Sequence, residues 1–106
     1  MIEIDIQVPV GPHTHSVPEI VEQAVAAEAL TVTMRSTLAQ YPGSVHWHLK
    51  RGKERGTLEV TWWPNRSRLW LKVASGRSAE WIHGTACRLK FQIESDRQSC
   101  QLEKTP

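Results

Sequence analysis

The chain has few cysteines and no long apolar run, and each shortage excludes a class of protein. Its 106 residues include only two cysteines, Cys87 and Cys100, and no CxxC pair. That number is too small for the disulfide framework of a small secreted domain or for a cysteine-rich zinc site. No apolar stretch approaches the roughly 20 residues of a membrane-spanning helix, and the N-terminal MIEIDIQV lacks the features of a signal peptide. We therefore expect a cytoplasmic protein without a membrane partner.

Excess charge and catalytic signatures are also scarce. Thirteen Lys and Arg stand against 11 Asp and Glu, and the net charge of +2 indicates nucleic-acid binding only if the basic residues cluster. The sequence contains neither a G-x-S-x-G motif nor a glycine-rich phosphate loop. Cys87 has a histidine neighbour, His83, but we expect the thiol to face the core, where it would be inert. These absences favour a binding domain over an enzyme and imply no cofactor.

The N-terminal part predicts a strand followed by a helix. Residues 2–8 alternate between isoleucine or valine and polar residues, which is typical of a strand with one buried face. Ser16 and Glu19 have the spacing of a capping box at a helix start. Apolar and small residues then recur three and four positions apart as far as Tyr41, which predicts one long helix ending before Pro42 and Gly43. The β-branched TVT at 31–33 is the place where this helix would bend or break.

The middle of the chain predicts three strands joined by hairpins. Apolar residues alternate with polar ones in 44–50, 57–63 and 68–73, and the connections RGKERG and PNRS are short and rich in turn residues. The stretch CRLKFQIE at 87–94 also alternates, and we interpret it as a further strand. A helix remains the alternative, using Ile82, Ala86, Leu89 and Ile93 and leaving Phe91 on the outside.

These elements predict a single α+β domain spanning residues 1–106. It has an antiparallel-rich sheet of four to five strands with one long helix packed on one face, in the order β-α-β-β-β-β, where the last strand is the open question. Residues 96–106 would add a short hairpin return or form a frayed end.

The alternation also predicts the register of the strands and hence the direction of the tryptophans. Pairing the apolar faces sets Trp47 opposite Val60 and Val45 opposite Trp62, because a slip of one residue would bury the charged positions. Trp47 and Trp62 then belong to the core. The other face carries His46, His48, Lys50, Thr57, Glu59, Thr61, Trp63, Arg68, Trp70 and Lys72.

That second face is the predicted binding surface. Exposed tryptophans flanked by basic residues suit an anionic partner, with single-stranded nucleic acid as the leading case. Trp63 and Trp70 would be the contact rings. The charged partners would be Arg68 and Lys72 on the face and Lys50, Arg51, Lys53 and Arg55 in a hairpin loop, which we expect at the same end of the sheet as the helix start. A homo-oligomer that buries the same face is the alternative, and an ordinary cross-strand pair of Trp63 with Arg68 needs no partner at all.

A metal site is a further hypothesis for the same face. His46 and His48 project from one side of a strand about 6.5–7 Å apart. With Glu59 they would form a set of two histidines and one carboxylate. The alternative is that His48, Glu59 and Lys72 form a surface row of ion pairs, in which Glu59 pairs with Lys72. A second His-x-His, at His13 and His15, should lie near the helix start and apart from the first.

Overall fold

The five strands form one antiparallel sheet, with two helices packed on the same face. A computed structural model of the chain describes residues 2–8, 16–73 and 79–103, with side chains as far as Ser95. Its elements are β1 (Ile2–Ile6), α1 (Val17–Ala27), β2 (Thr31–Ser36), β3 (Val45–Lys50), β4 (Leu58–Trp63), a 3-10 turn (Pro64–Arg66), β5 (Arg68–Val73) and α2 (Glu80–Glu103). The sheet order is β1-β5-β4-β3-β2, which confirms the predicted α+β class and its antiparallel sheet. Neither helix in the described part of the chain is long and apolar enough to cross a membrane.

Helix α1 begins where the sequence predicts and ends much earlier. The Ser16 hydroxyl accepts a hydrogen bond from the Glu19 backbone, and the Glu19 carboxylate accepts one from the Ser16 backbone, so the capping box is present. The prediction of a helix continuing to Tyr41 is wrong. Ala29 adopts a left-handed backbone with φ 58°, and the following TVTMRS forms β2. The β-branched residues therefore mark the start of a strand and not a bend in a helix.

The predicted strand at 87–94 is also wrong, because these residues belong to α2. The side chains of Ile82, Ala86, Leu89 and Ile93 are buried in the core, whereas Phe91 is 71% exposed. Cys87 is exposed as well, contrary to the expectation that it faces the core. The reason lies in the rest of the fold: β2 already supplies the fifth strand, and the short α1 leaves part of the sheet to be covered by a second helix.

The predicted register of the central strands is confirmed. Trp47 lies opposite Val60, Val45 opposite Trp62 and Trp63 opposite Arg68. Trp47 is fully buried beneath the helices, and Trp62 packs against the edge of the same core. The indole N–H of Trp47 donates to the Glu22 carboxylate at 3.1 Å, which satisfies its one polar group.

Substitutions on α2 distinguish the observed helix from the predicted strand. Leu89→Ala should lower the free energy of unfolding by about 2–5 kcal/mol, because it leaves a cavity in the core. Phe91→Ala should change it by no more than about 0.5 kcal/mol, because that ring lies in solvent. Urea denaturation of both variants measures the difference. Equal losses would contradict the helix, since a strand would turn both side chains inward.

Candidate metal centre

The sheet face opposite the helices carries Trp63 and Trp70, as predicted, but a loop covers it. The ring of Tyr41 lies edge-on to both tryptophans, with ring centroids 4.9 Å from Trp63 and 5.1 Å from Trp70. The Trp63 indole donates to the Pro42 carbonyl at 3.1 Å, and the Leu38 backbone donates to the buried Ser44 hydroxyl. We call residues 37–44 the Tyr41 cover.

The cover changes what the tryptophans can do. Trp70 is only 3% exposed, so its ring is not open to a stacking base. The predicted exposure of Trp70 is therefore wrong, whereas Trp63 is half-buried, and the binding of a nucleic acid or a second copy of the chain at this face stays a prediction. The sequence pattern missed the cover because it assigned Tyr41 to the end of a helix.

Arg68 is held by neighbours within the sheet. Its guanidinium lies 4.2 Å from the centroid of the Trp70 ring, so the cation–π contact is with Trp70 and not with the predicted Trp63. It also contacts the Asp5 carboxylate at 3.3 Å and the Glu3 carboxylate at 3.8 Å. The single positive charge of Arg68 is therefore more than offset by two acidic residues.

The basic loop lies away from the start of α1, contrary to prediction. Thr31, just after α1, pairs with Lys50, while Glu22 of α1 reaches Arg35 further along β2. Helix α1 therefore runs antiparallel to β2, and its first turn points away from Lys50. The start of α2 lies beside the loop instead, because the Trp81 indole donates to the Arg55 carbonyl at 2.6 Å.

His46, His48 and Glu59 converge on the covered face, and we call them the His–His–Glu triad. The Glu59 carboxylate lies 3.3 Å from His46 Nε2 and 3.9 Å from His48 Nε2. One ligand atom from each of the three residues fits within a span of 4.8 Å. Tetrahedral zinc with bonds of 2.0–2.1 Å places its ligand atoms about 3.4 Å apart. Small side-chain movements would therefore bring all three atoms into the coordination sphere of one ion.

Thr61 supports the triad from the neighbouring position on β4. Its hydroxyl lies 2.7 Å from His46 Nδ1, and both side chains are buried. When Nδ1–H donates to this hydroxyl, the lone pair of Nε2 is free for a metal, which is the usual support for a histidine ligand. The same contacts also suit a metal-free arrangement in which the Thr61 hydroxyl donates to Nδ1 and Nε2–H donates to Glu59. The sequence placed Thr61 on this face but gave no sign of this partnership.

The electrostatics of the triad favour a neutral imidazole. Burial lowers the pKa of His46 below its ordinary 6.5, and the charges of His48 and Lys72 lower it further, while the Glu59 carboxylate raises the pKa and offsets part of the effect. A neutral imidazole is the form that binds a metal. His46 is therefore ready to act as a ligand at neutral pH without first losing a proton.

Glu59 pairs with the histidines and not with Lys72. Lys72 lies opposite Glu59 in the register. Within the described part of the chain, however, the ion pairs of Glu59 are with His46 and His48 alone. Of the predicted row of His48, Glu59 and Lys72, the contact between His48 and Glu59 is therefore confirmed, and the ion pair between Glu59 and Lys72 is wrong. His13 and His15 lie outside the described residues.

Similarity to known proteins adds nothing to this geometry. No known protein family, curated protein or solved structure matches the chain. The chemistry of the triad is therefore the basis for assigning a function.

The lowered pKa of His46 makes stability depend on pH in a defined direction. The folded state binds a proton at His46 less readily than the unfolded chain, whose value is about 6.5. This contribution to stability is full above about pH 6.5 and is lost as the pH falls toward the folded pKa. With a chelator present, the free energy of unfolding should fall between pH 7.5 and pH 5.5 more steeply in the unmodified protein than in His46→Gln.

The exposed His83 on α2 supplies the control for that comparison. His83→Gln should keep the pH dependence of the unmodified protein, because its side chain is already in solvent. If His46→Gln keeps the same dependence too, burial of His46 does not determine it.

Proposed function

We propose that this domain binds a divalent transition metal through His46, His48 and Glu59. The observation that carries the proposal is the convergence of their three ligand atoms within 4.8 Å. Two imidazoles and one carboxylate suit zinc, iron or cobalt better than magnesium or calcium, which prefer oxygen ligands. The proposal favours binding without naming a reaction.

The sheet holds the three ligands in place before a metal arrives. His46 and His48 are two residues apart on β3, and Glu59 lies directly opposite His48 on β4. Both strands are interior to the sheet, with a hydrogen-bonded neighbour on each side. Ligands on such strands are positioned by the backbone, so little ordering entropy is lost on binding.

The number of protein ligands distinguishes a closed structural metal site from one with an open coordination position. A structural zinc site is normally closed by four protein ligands, whereas three leave a position for water or another small ligand. The His48 side chain keeps 21% of its surface exposed, while those of His46 and Glu59 are nearly buried. Solvent therefore reaches the triad from the His48 side.

Metal titration of matched histidine variants tests the proposal. In equilibrium dialysis, the unmodified protein should retain about one zinc per chain. Free zinc at 100 times its dissociation constant should raise the free energy of unfolding by about 2.7 kcal/mol. His46→Ala and His48→Ala should each abolish both effects, because two ligands do not hold the ion.

Two controls remove the other candidates for zinc binding among the described residues. His83→Ala deletes an exposed histidine and Cys87→Ser an exposed thiol, and both should bind zinc like the unmodified protein. Zinc retained equally by His46→Ala, or not retained by the unmodified protein, would refute the proposal.

The basic loop supports a second candidate function, the binding of an anionic partner. Its cationic side chains are those of Lys50, Arg51, Lys53 and Arg55. Among the described residues, no ion pair within 4.0 Å involves any of the four. Four cations at one end of the sheet with no carboxylate partner in the described part of the chain favour a phosphate-rich ligand. The indole beside this loop is that of Trp81 and not that of Trp70.

Salt dependence tests this second candidate. Four phosphate contacts on a labelled single-stranded oligonucleotide predict a fall in affinity of about 50-fold between 50 and 200 mM salt. The double variant Arg51→Glu with Lys53→Glu should bind far more weakly, whereas Arg66→Glu at the other end of the sheet should not. Fluorescence anisotropy measures both. Equal binding by the two variants would show that this loop does not bind the oligonucleotide.

A further inference from the structure

We infer that the metal site takes a small oxyanion as its exogenous ligand, held between the metal and the ammonium group of Lys72. The inference rests on the proposed metal binding at the His–His–Glu triad. It adds Lys72, which does not coordinate the metal, and it assigns the exogenous ligand to the class of small oxyanions.

Lys72 lies beside the triad on the same face of the sheet. On β5 it is directly opposite Glu59 of β4, and on its other side it is opposite Glu3 of β1. Residues directly opposite each other have Cβ atoms about 4.5–5.5 Å apart, well within the reach of a lysine side chain.

Both carboxylates that flank Lys72 are engaged elsewhere. Glu59 contacts His46 and His48, and Glu3 contacts Arg68 at 3.8 Å. In the part of the chain that the structure describes, no carboxylate lies within 4.0 Å of the Lys72 ammonium group. Among the residues that the structure describes, this half-buried lysine between two acidic residues therefore has no ion pair.

A bound metal would leave this region with too much positive charge. A divalent ion, one carboxylate, two neutral imidazoles and one ammonium group leave an excess of about two positive charges. Such an excess is costly in a partly buried place, and an anion that touches both cations reduces it. The neighbouring Arg68, Asp5 and Glu3 together contribute one negative charge, so an excess of about one positive charge remains for an exogenous anion to offset.

The surroundings favour an oxyanion of small size. One oxygen would fill the coordination position that the three protein ligands leave open, and another would accept a hydrogen bond from Lys72. Trp70 lies two residues before Lys72 on the same face, and the Tyr41 ring packs against it, so a bulky ligand has little room on that side. A carboxylate or an inorganic phosphate satisfies both contacts, whereas a neutral ligand satisfies only the first.

Anion titration of the cobalt-loaded protein tests the inference. Cobalt(II) should take the place of zinc, and its visible absorption reports a change of ligand. Acetate and inorganic phosphate, titrated separately with protein in excess over cobalt, should each change the spectrum in the unmodified protein. Lys72→Met should keep the cobalt but require about tenfold more anion for half of the change, because a charged hydrogen bond is lost. Lys72→Arg should retain most of the effect.

Lys90→Met is the matched control. Lys90 carries the same charge but belongs to α2, on the opposite side of the sheet, where its ammonium group contacts the Asp5 carbonyl and the Glu94 carboxylate. It should leave the anion dependence within about twofold of that of the unmodified protein. Lys72→Gln replaces Lys72→Met if circular dichroism shows that the methionine variant is unfolded.

The outcomes separate the two proposals. A spectrum that responds to neither anion, or that responds equally in Lys72→Met and the unmodified protein, overturns the role of Lys72 and leaves metal binding intact. A response to only one of the two anions narrows the ligand to the carboxylate or the phosphate class. Failure of the unmodified protein to take up cobalt overturns the metal site and this inference together.

Discussion

The pairing register of β3, β4 and β5 is the constraint on which the rest of the structure depends. It places Trp47, Leu49, Val60 and Leu71 against the helices, where each side chain is almost completely buried. Full burial of a large apolar side chain is worth roughly 1.5–3 kcal/mol. A slip of one residue would expose all of these and turn His46 and Glu59 into the core. The energy that orders the core therefore also fixes the triad on the opposite face.

The sheet face opposite the helices buries polar side chains as well as an aromatic ring. Besides Trp70, the buried side chains include His46, Glu59 and Thr61, which satisfy one another through short contacts. A buried polar cluster seldom stabilises a fold more than well-packed apolar residues of similar size would. The proposed metal, which requires two imidazoles and a carboxylate, would give this cluster a function besides stability. The Tyr41 cover strengthens this view, because it limits solvent beside the cluster and raises the strength of electrostatic interactions there.

Patterns of period two predicted the part of the fold that contains the site. Apolar residues occupy every second position of β3 to β5, and Trp63 and Trp70 are the apolar exceptions on the other face, so the register and the three residues of the triad followed from the sequence. The helices were harder, because CRLKFQIE satisfies both a strand and a helix, and the strand template appeared better only because it placed Phe91 inside. The choice between strand and helix for CRLKFQIE depends on TVTMRS at 31–36. Because TVTMRS forms the fifth strand of the sheet, CRLKFQIE is left to complete the core as a helix. Tyr41 lies in a loop, where no periodicity indicates which surface it will cover.

Anomalous diffraction at the zinc absorption edge, recorded from crystals soaked in zinc, would locate the metal. We expect an anomalous peak on the sheet face opposite the helices, about 2.0–2.2 Å from His46 Nε2, His48 Nε2 and a Glu59 oxygen. We also expect Thr61 to keep its contact with His46 Nδ1. A triad without a peak at saturating zinc, with His46 Nε2 hydrogen-bonded to Glu59 instead, would contradict the metal site and identify the cluster as a purely structural one.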